Sequence, residues 1–282
     1  MSSFQLSSFA DEADASLKGQ IEAMERHGVY LIEMRGVDGK NVSELTNEEA
    51  DDARKRLEDH GMTLSSMGSP YGKYPIDQPF AAHMDSFRRG LEICRHLNAK
   101  RIRMFSFYIP EGKNPEIYHD TVIERIQKMV DYGEANGVHC CHENEKGIYG
   151  DTLKRVEKLH KAIPALRCVF DPANYIQCGD DPAVNFKALA PIIDYMHIKD
   201  ALFKDGSVVP AGEGDGSVPS ILKALAETGK PYMLTLEPHL YDFSGLQNLQ
   251  GEDVLHKRVY KDADEAFDVA SDALHDILKT IE

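Results

Sequence analysis

The stretch Asn136-Gly137-Val138-His139-Cys140-Cys141-His142-Glu143-Asn144-Glu145 joins the end of a helix to a short strand with a polar terminus. Gly137 is typical of a helix end, because glycine readily adopts the left-handed backbone found there. Val138–Glu143 then predicts a strand, and its acidic residues come where that strand ends. The same join recurs at His27-Gly28-Val29, His60-Gly61-Met62 and Thr228-Gly229-Lys230. The chain therefore repeats a helix-to-strand unit.

Outward from this stretch, short apolar runs alternate with longer amphipathic stretches. The runs predict eight strands, at Phe4–Phe9, Val29–Met34, Thr63–Met67, Arg101–Phe107, Val138–Glu143, Arg167–Phe170, Tyr195–Lys199 and Tyr232–Glu237. Eight strands, each followed by a helix, within 282 residues predict one (β/α)8 TIM barrel over residues 1–282. An open doubly wound sheet is the alternative, but no Gly-x-Gly-x-x-Gly follows the first strand.

The composition narrows the class of partner and the compartment. The chain has 47 Asp and Glu against 32 Lys and Arg, a formal net charge of −15, which opposes binding to nucleic acid phosphates. Its 5 cysteines form no Cys-x-x-Cys pair, which is typical of free thiols in a reducing compartment. The N-terminus has no secretory signal pattern and no apolar run approaches a membrane span. We therefore predict a cytoplasmic protein without nucleic acid or membrane partners.

Four consecutive predicted strands finish with an ionisable residue: Glu143, Asp171, His197 and Glu237. Neighbouring barrel strands are about 5 Å apart, so these side chains are expected to converge near the axis, where barrel enzymes place their chemistry. Taken singly, each has a structural explanation: Asp171 as a helix N-cap, His197 as a hydrogen-bonded core residue, Glu237 as an ion-pair partner of Arg35. Together, three carboxylates would repel one another strongly without a cation, and the set suits Mn²⁺, Mg²⁺, Co²⁺ or Zn²⁺.

Five motifs carry a resemblance to a known family. In order, they are His142-Glu143-Asn144-Glu145-Lys146-Gly147, Phe170-Asp171-Pro172-Ala173-Asn174, His197-Ile198-Lys199-Asp200, Pro210-Ala211-Gly212-Glu213-Gly214 and Leu236-Glu237-Pro238-His239. They resemble the xylose-isomerase-like TIM-barrel family of sugar phosphate isomerases and epimerases. The resemblance implies that Glu143, Asp171, His197 and Glu237 bind a divalent metal, most commonly Mn²⁺. It also implies that Glu143 and Glu237 act as an acid/base pair on opposite faces of the substrate.

Two departures from the epimerase pattern weaken the transfer of a ketohexose substrate. Asn174 stands where those epimerases usually carry a substrate-binding histidine, and Phe203 stands where they carry an arginine. The predicted function is isomerisation or epimerisation of a small sugar or ketose, possibly phosphorylated, through a metal-stabilised enediolate. The alternative is a lyase or dehydratase that eliminates a β-leaving group from a keto-sugar, inosose or 3-oxo-glycoside at the same site.

Further side chains are predicted near the substrate from their strand positions. Lys199 follows His197 on one face of a strand and is predicted to be catalytic, with an ion pair to Glu237 or Glu213 as the alternative. Arg35, Ser66, Arg103, Asn174 and His239 are predicted to contact substrate. For Arg103, and for Arg35 with Glu33 on its strand face, a structural ion pair inside the barrel is the competing interpretation.

Other classes of function fit less well. A DNA-repair endonuclease shares the barrel in this superfamily, but uses more histidines than these positions offer and would meet the net charge of −15. A sugar-binding barrel without catalysis is also open. The Gly-rich loop 211–216 lacks the Gly-Lys-Ser/Thr ending of a phosphate loop. The long segment Leu240–Lys261 is expected to cover the mouth or to form a subunit contact in a homo-oligomer.

Overall fold

A closed barrel of eight parallel strands forms the centre of the molecule. The computed structural model describes residues 4–242 and 258–281. The barrel strands, in chain order, are β1 (Phe4–Ser8), β2 (Leu31–Met34), β3 (Thr63–Gly68), β4 (Arg101–Met104), β5 (His139–Glu143), β6 (Arg167–Phe170), β7 (Ile193–Ile198) and β8 (Tyr232–Leu236). Each strand pairs with the next along the chain, and β8 closes on β1 with Phe4 opposite Tyr232. The predicted (β/α)8 barrel is confirmed, and the open sheet is excluded.

Nine α-helices surround or cap the barrel in the described residues. They are α1 (Leu17–Arg26), α2 (Asn47–Asp59), α3 (Phe80–His96), α4 (His119–Ala135), α5 (Leu153–Ala162), α6 (Pro172–Gln177), α7 (Pro182–Leu189), α8 (Val218–Glu227) and α9 (Ala263–Lys279). Their ends follow local chemistry: Thr46 and Glu49 form a reciprocal capping box at α2, and Pro182 occupies the first turn of α7. The sequence predicts one helix after each of the eight strands, and the short α6 is an additional one.

The interior of the barrel is layered along the strands. Cys141, Val169, Tyr195 and Met233, from β5, β6, β7 and β8, form one buried apolar cluster. Side chains two positions apart along a strand point to the same face. Glu143, Asp171 and His197 therefore continue the inward faces of β5, β6 and β7 beyond this plug, toward the carboxyl ends of the strands. An apolar layer thus closes the barrel beneath a polar one, as in other TIM barrels.

Several predicted strands end earlier than expected. The fourth was predicted to reach Phe107 but ends at Met104, because the chain then turns to bond with the loop after β3. The Phe105 amide donates to the Tyr71 carbonyl and the Phe107 amide to that of Gly72, both at 2.8 Å. Phe107 takes a positive φ of 68°, which is incompatible with a continuing strand.

Two short antiparallel hairpins extend from the carboxyl end of the barrel, at Gly36–Val37 with Lys40–Asn41 and at Asp200–Ala201 with Val208–Val209. Within residues 4–242 and 258–281, no helix has both the length and the apolar content needed to cross a membrane. All five cysteines are free. The segment Leu240–Lys261 was predicted to cover the mouth of the barrel or to form a subunit contact. Residues 243–257 of this segment lie outside the described residues.

Candidate metal centre

The four side chains predicted at consecutive strand ends meet at one point. Glu143 is the last residue of β5, Asp171 follows β6, His197 lies near the end of β7, and Glu237 follows β8. One ligand-capable atom from each lies within 4.8 Å of those of the other three, and all four side chains are buried. The convergence follows from the closed parallel barrel, which brings the carboxyl ends of all strands to one rim.

His197 lies between the two glutamates. Its Nδ1 atom is 3.0 Å from Glu143 Oε1 and 3.2 Å from Glu237 Oε2. Its Nε2 atom points the other way, 3.2 Å from Glu33 Oε2. Burial by itself lowers the pKa of His197, but the carboxylates of Glu143 and Glu33, with that of Glu237, outweigh it and raise the pKa well above its usual value.

Lys199 is the second cation of the cluster. Its Nζ lies 2.9 Å from Asp171 Oδ2 and 3.4 Å from Glu237 Oε2. Burial disfavours the charged ammonium, but Asp171 and Glu237 attract it and raise its pKa well above the ordinary value. The predicted ion pair with Glu237 is therefore present, whereas Glu213 pairs with Arg258.

Asp171 combines two roles that were alternatives in the sequence. Its Oδ1 accepts a hydrogen bond from the Asn174 amide at 2.9 Å and so caps α6. Its Oδ2 is buried and accepts no hydrogen bond of good geometry from the described residues, although it pairs with Lys199. Burial, with repulsion from Glu143 and Glu237, raises the pKa of Asp171 to about 7. One carboxylate oxygen of the cap is thus left directed at the cluster.

The residues present fit a divalent cation. Six buried carboxylates lie around the site with four buried side chains that can carry positive charge: Asp11, Glu12, Glu33, Glu143, Asp171 and Glu237 with Arg35, Arg103, His197 and Lys199. Burial is the main cause of the raised pKa of Asp171, and the crowding of Glu143 and Glu237 adds to it. Three carboxylates and one imidazole are also a donor set that Mn²⁺, Mg²⁺, Co²⁺ and Zn²⁺ accept.

Arg35 connects this cluster to the loop after β1. Its guanidinium donates to both oxygens of Asp11 at 2.9 and 3.1 Å, to Glu12 at 3.1 Å and to Glu237 Oε1 at 3.0 Å. The predicted ion pair with Glu237 is present. Burial raises the pKa of Glu12 to about 8, against the opposing effect of Arg35. Asp11 and Glu12 were not among the predicted site residues, although both follow a predicted strand, which is the signal that identified the other four.

His239 completes this second group. Its Nε2 lies 3.4 Å from Glu12 Oε1 and 3.5 Å from Glu237 Oε1, and its backbone amide donates to Glu12 Oε2 at 2.6 Å. Burial, with the nearby charge of Lys199, lowers the pKa of His239 to about 3. Glu12, Glu237 and His239 therefore also lie close enough to share a cation, but the Arg35 guanidinium already contacts both carboxylates.

The remaining predicted substrate contacts lie at different depths. Arg103 Nε is 3.3 Å from Glu143 Oε2, and Asn174 donates to Glu143 Oε1 at 3.2 Å. Both therefore contact the cluster itself. Ser66 is fully buried, and its hydroxyl lies 3.5 Å from that of Tyr195, one layer further from the carboxyl ends than His197. Contact between Ser66 and substrate stays a prediction.

Two features of the rim bear on substrate recognition. Lys73 and Glu145 form a buried pair at 3.1 Å, with the Lys73 ammonium 4.6 Å from the centre of the Phe105 ring. In the Gly-rich loop, the amides of Gly212, Gly214 and Gly216 all donate to the Asp200 carboxylate, at 2.9, 3.2 and 2.8 Å. That loop is therefore organised around an internal anion, in agreement with the missing phosphate-loop ending.

Comparisons with solved structures support the fold. The IOLI protein with a binding zinc atom aligns with a TM-score of 0.74 and 18% identity, covering 99% of each chain. L-ribulose 3-epimerase aligns with a TM-score of 0.74 and 16% identity, covering 98% of this chain and 94% of that one. The probable 3-DHS dehydratase AsbF from Bacillus anthracis aligns with a TM-score of 0.72 and 16% identity, covering 96% and 98%.

At these identities the structural likeness establishes the fold alone. No curated protein matches the chain. The family model of the xylose isomerase-like TIM barrel matches residues 21–271, which includes β2 to β8 and all four residues of the metal cluster. The protein therefore belongs to the xylose isomerase-like TIM-barrel family.

Proposed function

We propose that this protein is a divalent-metal-dependent isomerase or epimerase of a small sugar or ketose. The observation that carries the proposal is the convergence of Glu143, Asp171, His197 and Glu237, whose ligand atoms lie within 4.8 Å of one another in a buried site. The similar structures include one with zinc and one named as an epimerase, which is in accord with this chemistry. The metal proposed is Mn²⁺, with Mg²⁺, Co²⁺ and Zn²⁺ as alternatives.

The four residues would hold the cation, which when bound would withdraw electron density from a substrate carbonyl and make the neighbouring C–H proton more acidic. Glu143 and Glu237 flank His197 and are proposed as the acid/base pair. One carboxylate removes the proton next to the carbonyl, and the other returns one from the opposite face or to the neighbouring carbon. The first outcome inverts a centre, whereas the second moves the carbonyl.

The surrounding cations have separate tasks in this proposal. Arg103 lies against Glu143 and Arg35 against Glu237, so each proposed acid/base carboxylate has its own guanidinium. These charge-assisted contacts hold the direction of each carboxylate. Lys199, between Asp171 and Glu237, is proposed to stabilise negative charge that develops on substrate oxygens. Asn174 and His239 are proposed to contact substrate at the rim.

A lyase or dehydratase is the second candidate. Asn174 and Phe203 replace two residues of the epimerase pattern. The buried Lys199 ammonium can stabilise negative charge on a departing oxygen, which takes its proton from the acid/base pair. After the same proton abstraction, expulsion of that β-substituent would give an enone. A structure named as a probable dehydratase shares this fold.

The partners, the location and the oligomeric state of the protein remain predictions. We predict a cytoplasmic homo-oligomer without nucleic acid or membrane partners.

The experiment is solvent exchange. Metal-free protein is loaded with Mn²⁺ and incubated in D₂O with a panel of ketoses, inososes and 3-oxo-glycosides, and exchange at carbon is followed by NMR. We expect metal-dependent exchange with at least one substrate, accompanied by a new epimer or aldose for the first proposal, or by an enone absorbance for the second. A protein that binds metal and sugar but exchanges no proton would contradict both and favour a non-catalytic sugar-binding barrel.

A further inference from the structure

Glu33 is an acidic side chain of the barrel interior that lies on the opposite side of the His197 ring from Glu143 and Glu237. It belongs to β2 and is fully buried. The register between β2 and β3 shifts between Ile32 and Glu33, so that Glu33 lies opposite Ser66. Such an irregularity redirects the side chain that follows it. The extra residue of this shift is Ser65 on β3, so the strand pairing is distorted beside the residue that sends a carboxylate into the barrel.

Both carboxylate oxygens of Glu33 have buried partners. Oε1 accepts a hydrogen bond from the Tyr195 hydroxyl at 2.9 Å, and Oε2 lies 3.2 Å from His197 Nε2. Tyr195 also adjoins a register shift, between β6 and β7, which sets Val169 opposite Tyr195. The two barrel irregularities thus flank one contact. Arg103 Nε is 4.0 Å from Glu33 Oε1, beyond hydrogen-bond distance.

The contact with His197 determines which ring nitrogen is left for the cluster. When Nε2 carries a proton and donates it to Glu33, Nδ1 of the neutral ring keeps its lone pair. Nδ1 is the atom that faces Glu143 and Glu237. The Phe9 ring packs edge-on against the imidazole, with the ring centres 5.2 Å apart, and restricts its rotation. Glu33 itself lies across the imidazole from the two glutamates, so it is not placed as a ligand.

We propose that Glu33 is a positioning residue for the metal centre: it fixes the His197 ring with Nδ1 as the metal-binding atom. Metal-binding histidines commonly donate their other ring N–H to a carboxylate, and loss of that partner typically weakens metal binding about 10- to 100-fold. The inference rests on the proposed function, because it requires a metal at the four-residue site.

The test compares metal affinity with stability in the full-length protein. Metal affinity is measured by titrating metal-free wild type, Glu33→Gln and Tyr195→Phe with Co²⁺ in competition with a chelator, and the melting temperature of each metal-free protein is recorded. Gln keeps the shape of Glu33 but removes its charge. Tyr195→Phe removes the hydrogen bond to Glu33 Oε1 but keeps the aromatic ring and the contact between Glu33 and His197. It therefore measures how much metal affinity is lost when the surroundings of Glu33 are disturbed without loss of that contact.

Glu33→Gln is expected to bind Co²⁺ about 10- to 100-fold more weakly than wild type, and Tyr195→Phe within a few-fold of it. Equal losses in both variants, or an unchanged affinity in Glu33→Gln, would overturn the inference while leaving the proposed metal site intact. A wild type that binds no Co²⁺ would overturn the proposed function, and the inference with it.

A second measurement applies even where Glu33→Gln does not fold. Wild type labelled with ¹⁵N-histidine is loaded with ¹¹³Cd²⁺, and the ¹¹³Cd–¹⁵N coupling identifies the nitrogen of His197 that binds the metal. Coupling to Nδ1, together with a proton on Nε2, is the expected result. Coupling to Nε2 would overturn the inference directly, because the Glu33 contact would then be broken.

Discussion

Buried histidines lie in two different environments in this protein, one at the candidate metal centre and one between the barrel and the helices. The pKa of the histidine is shifted in opposite directions in the two environments. At the rim, His197 is surrounded by the carboxylates of Glu33, Glu143 and Glu237, and its pKa is raised well above the usual value. In the layer between barrel and helices, burial lowers the pKa of His142 well below the usual value and that of His160 to about 4. All three histidines are buried, so the charges of their neighbours decide whether the pKa rises or falls.

The two environments meet within one strand. His142 and Glu143 are consecutive in β5 and point to opposite faces of the barrel wall. Outside, His142 Nε2 lies 3.0 Å from the Ser106 hydroxyl and its ring contacts that of His160. Inside, Glu143 lies against His197 and Arg103. His142 therefore makes contacts between the barrel and the helices, whereas Glu143 belongs to the four-residue cluster.

The largest expected effect is from substitution of the inward residue. Glu143→Gln is expected to reduce metal-dependent proton exchange about 10³-fold, about 4 kcal/mol in activation free energy, because an acid/base group is lost. His142→Asn, one position away, is the matched control. It is expected to retain the wild-type rate per folded molecule within a few-fold, as measured by NMR exchange.

A comparable rate loss in both variants would show that the two faces of β5 are not functionally separate. Melting temperatures of the two proteins distinguish that result from simple unfolding. His142→Asn is expected to lower the melting temperature, since it disturbs a buried contact, whereas Glu143→Gln is expected to change the melting temperature of the metal-free protein less.

The second expected effect is on the pH dependence of stability. Burial lowers the pKa of His83 and of His160 from 6.5 to about 4. Above pH 6.5 neither state is protonated at these groups. As pH falls toward 4, the unfolded chain takes up protons that the folded chain refuses, so the free energy of unfolding decreases, by up to about 3 kcal/mol for each histidine.

Chemical denaturation at pH 7.5, 6.0 and 4.5 measures this loss, with His160→Gln as the comparison. The variant removes one titrating group, so its free energy of unfolding should decline less across this range, by about 2 to 3 kcal/mol. Carboxylates titrate in both proteins and cancel in the difference. Identical declines would mean that His160 is not kept neutral in the folded protein.

The smallest expected effect concerns Ser106, which serves the neutral layer. Its hydroxyl accepts a hydrogen bond from the Gly150 amide at 2.7 Å and pairs with His142. Ser106→Ala leaves two buried polar groups without this partner and is expected to lower the free energy of unfolding by about 2 kcal/mol. Metal affinity, measured by Co²⁺ titration, should be unchanged. A weaker affinity would show that this layer also supports the metal centre.

Much of the candidate site was predictable because it follows the period of the fold. The cluster residues each occur where an apolar run ends, about one βα unit apart, and this spacing is visible in the sequence: Glu143, Asp171, His197 and Glu237. Asp11 and Glu12 also follow a predicted strand, but they lie in a short 3-10 helix after β1 and were not among the predicted site residues. For Ser66, the predicted strand gave the position along the chain but not the depth in the barrel, which depends on how the strands pair.

Sequence alone determined the eight-strand barrel, the rim position of the four cluster residues and the three carboxylates among them, because hydrophobic period, helix-end signals and residue type can be read along the chain. Only the tertiary structure decided which nitrogen of His197 faces the cluster, that Arg35 joins Glu237 to Asp11 and Glu12, and that Asp171 is both cap and cluster residue. Those facts depend on contacts between residues far apart in sequence, whose geometry is set by the closure of the barrel and by two shifts in strand register.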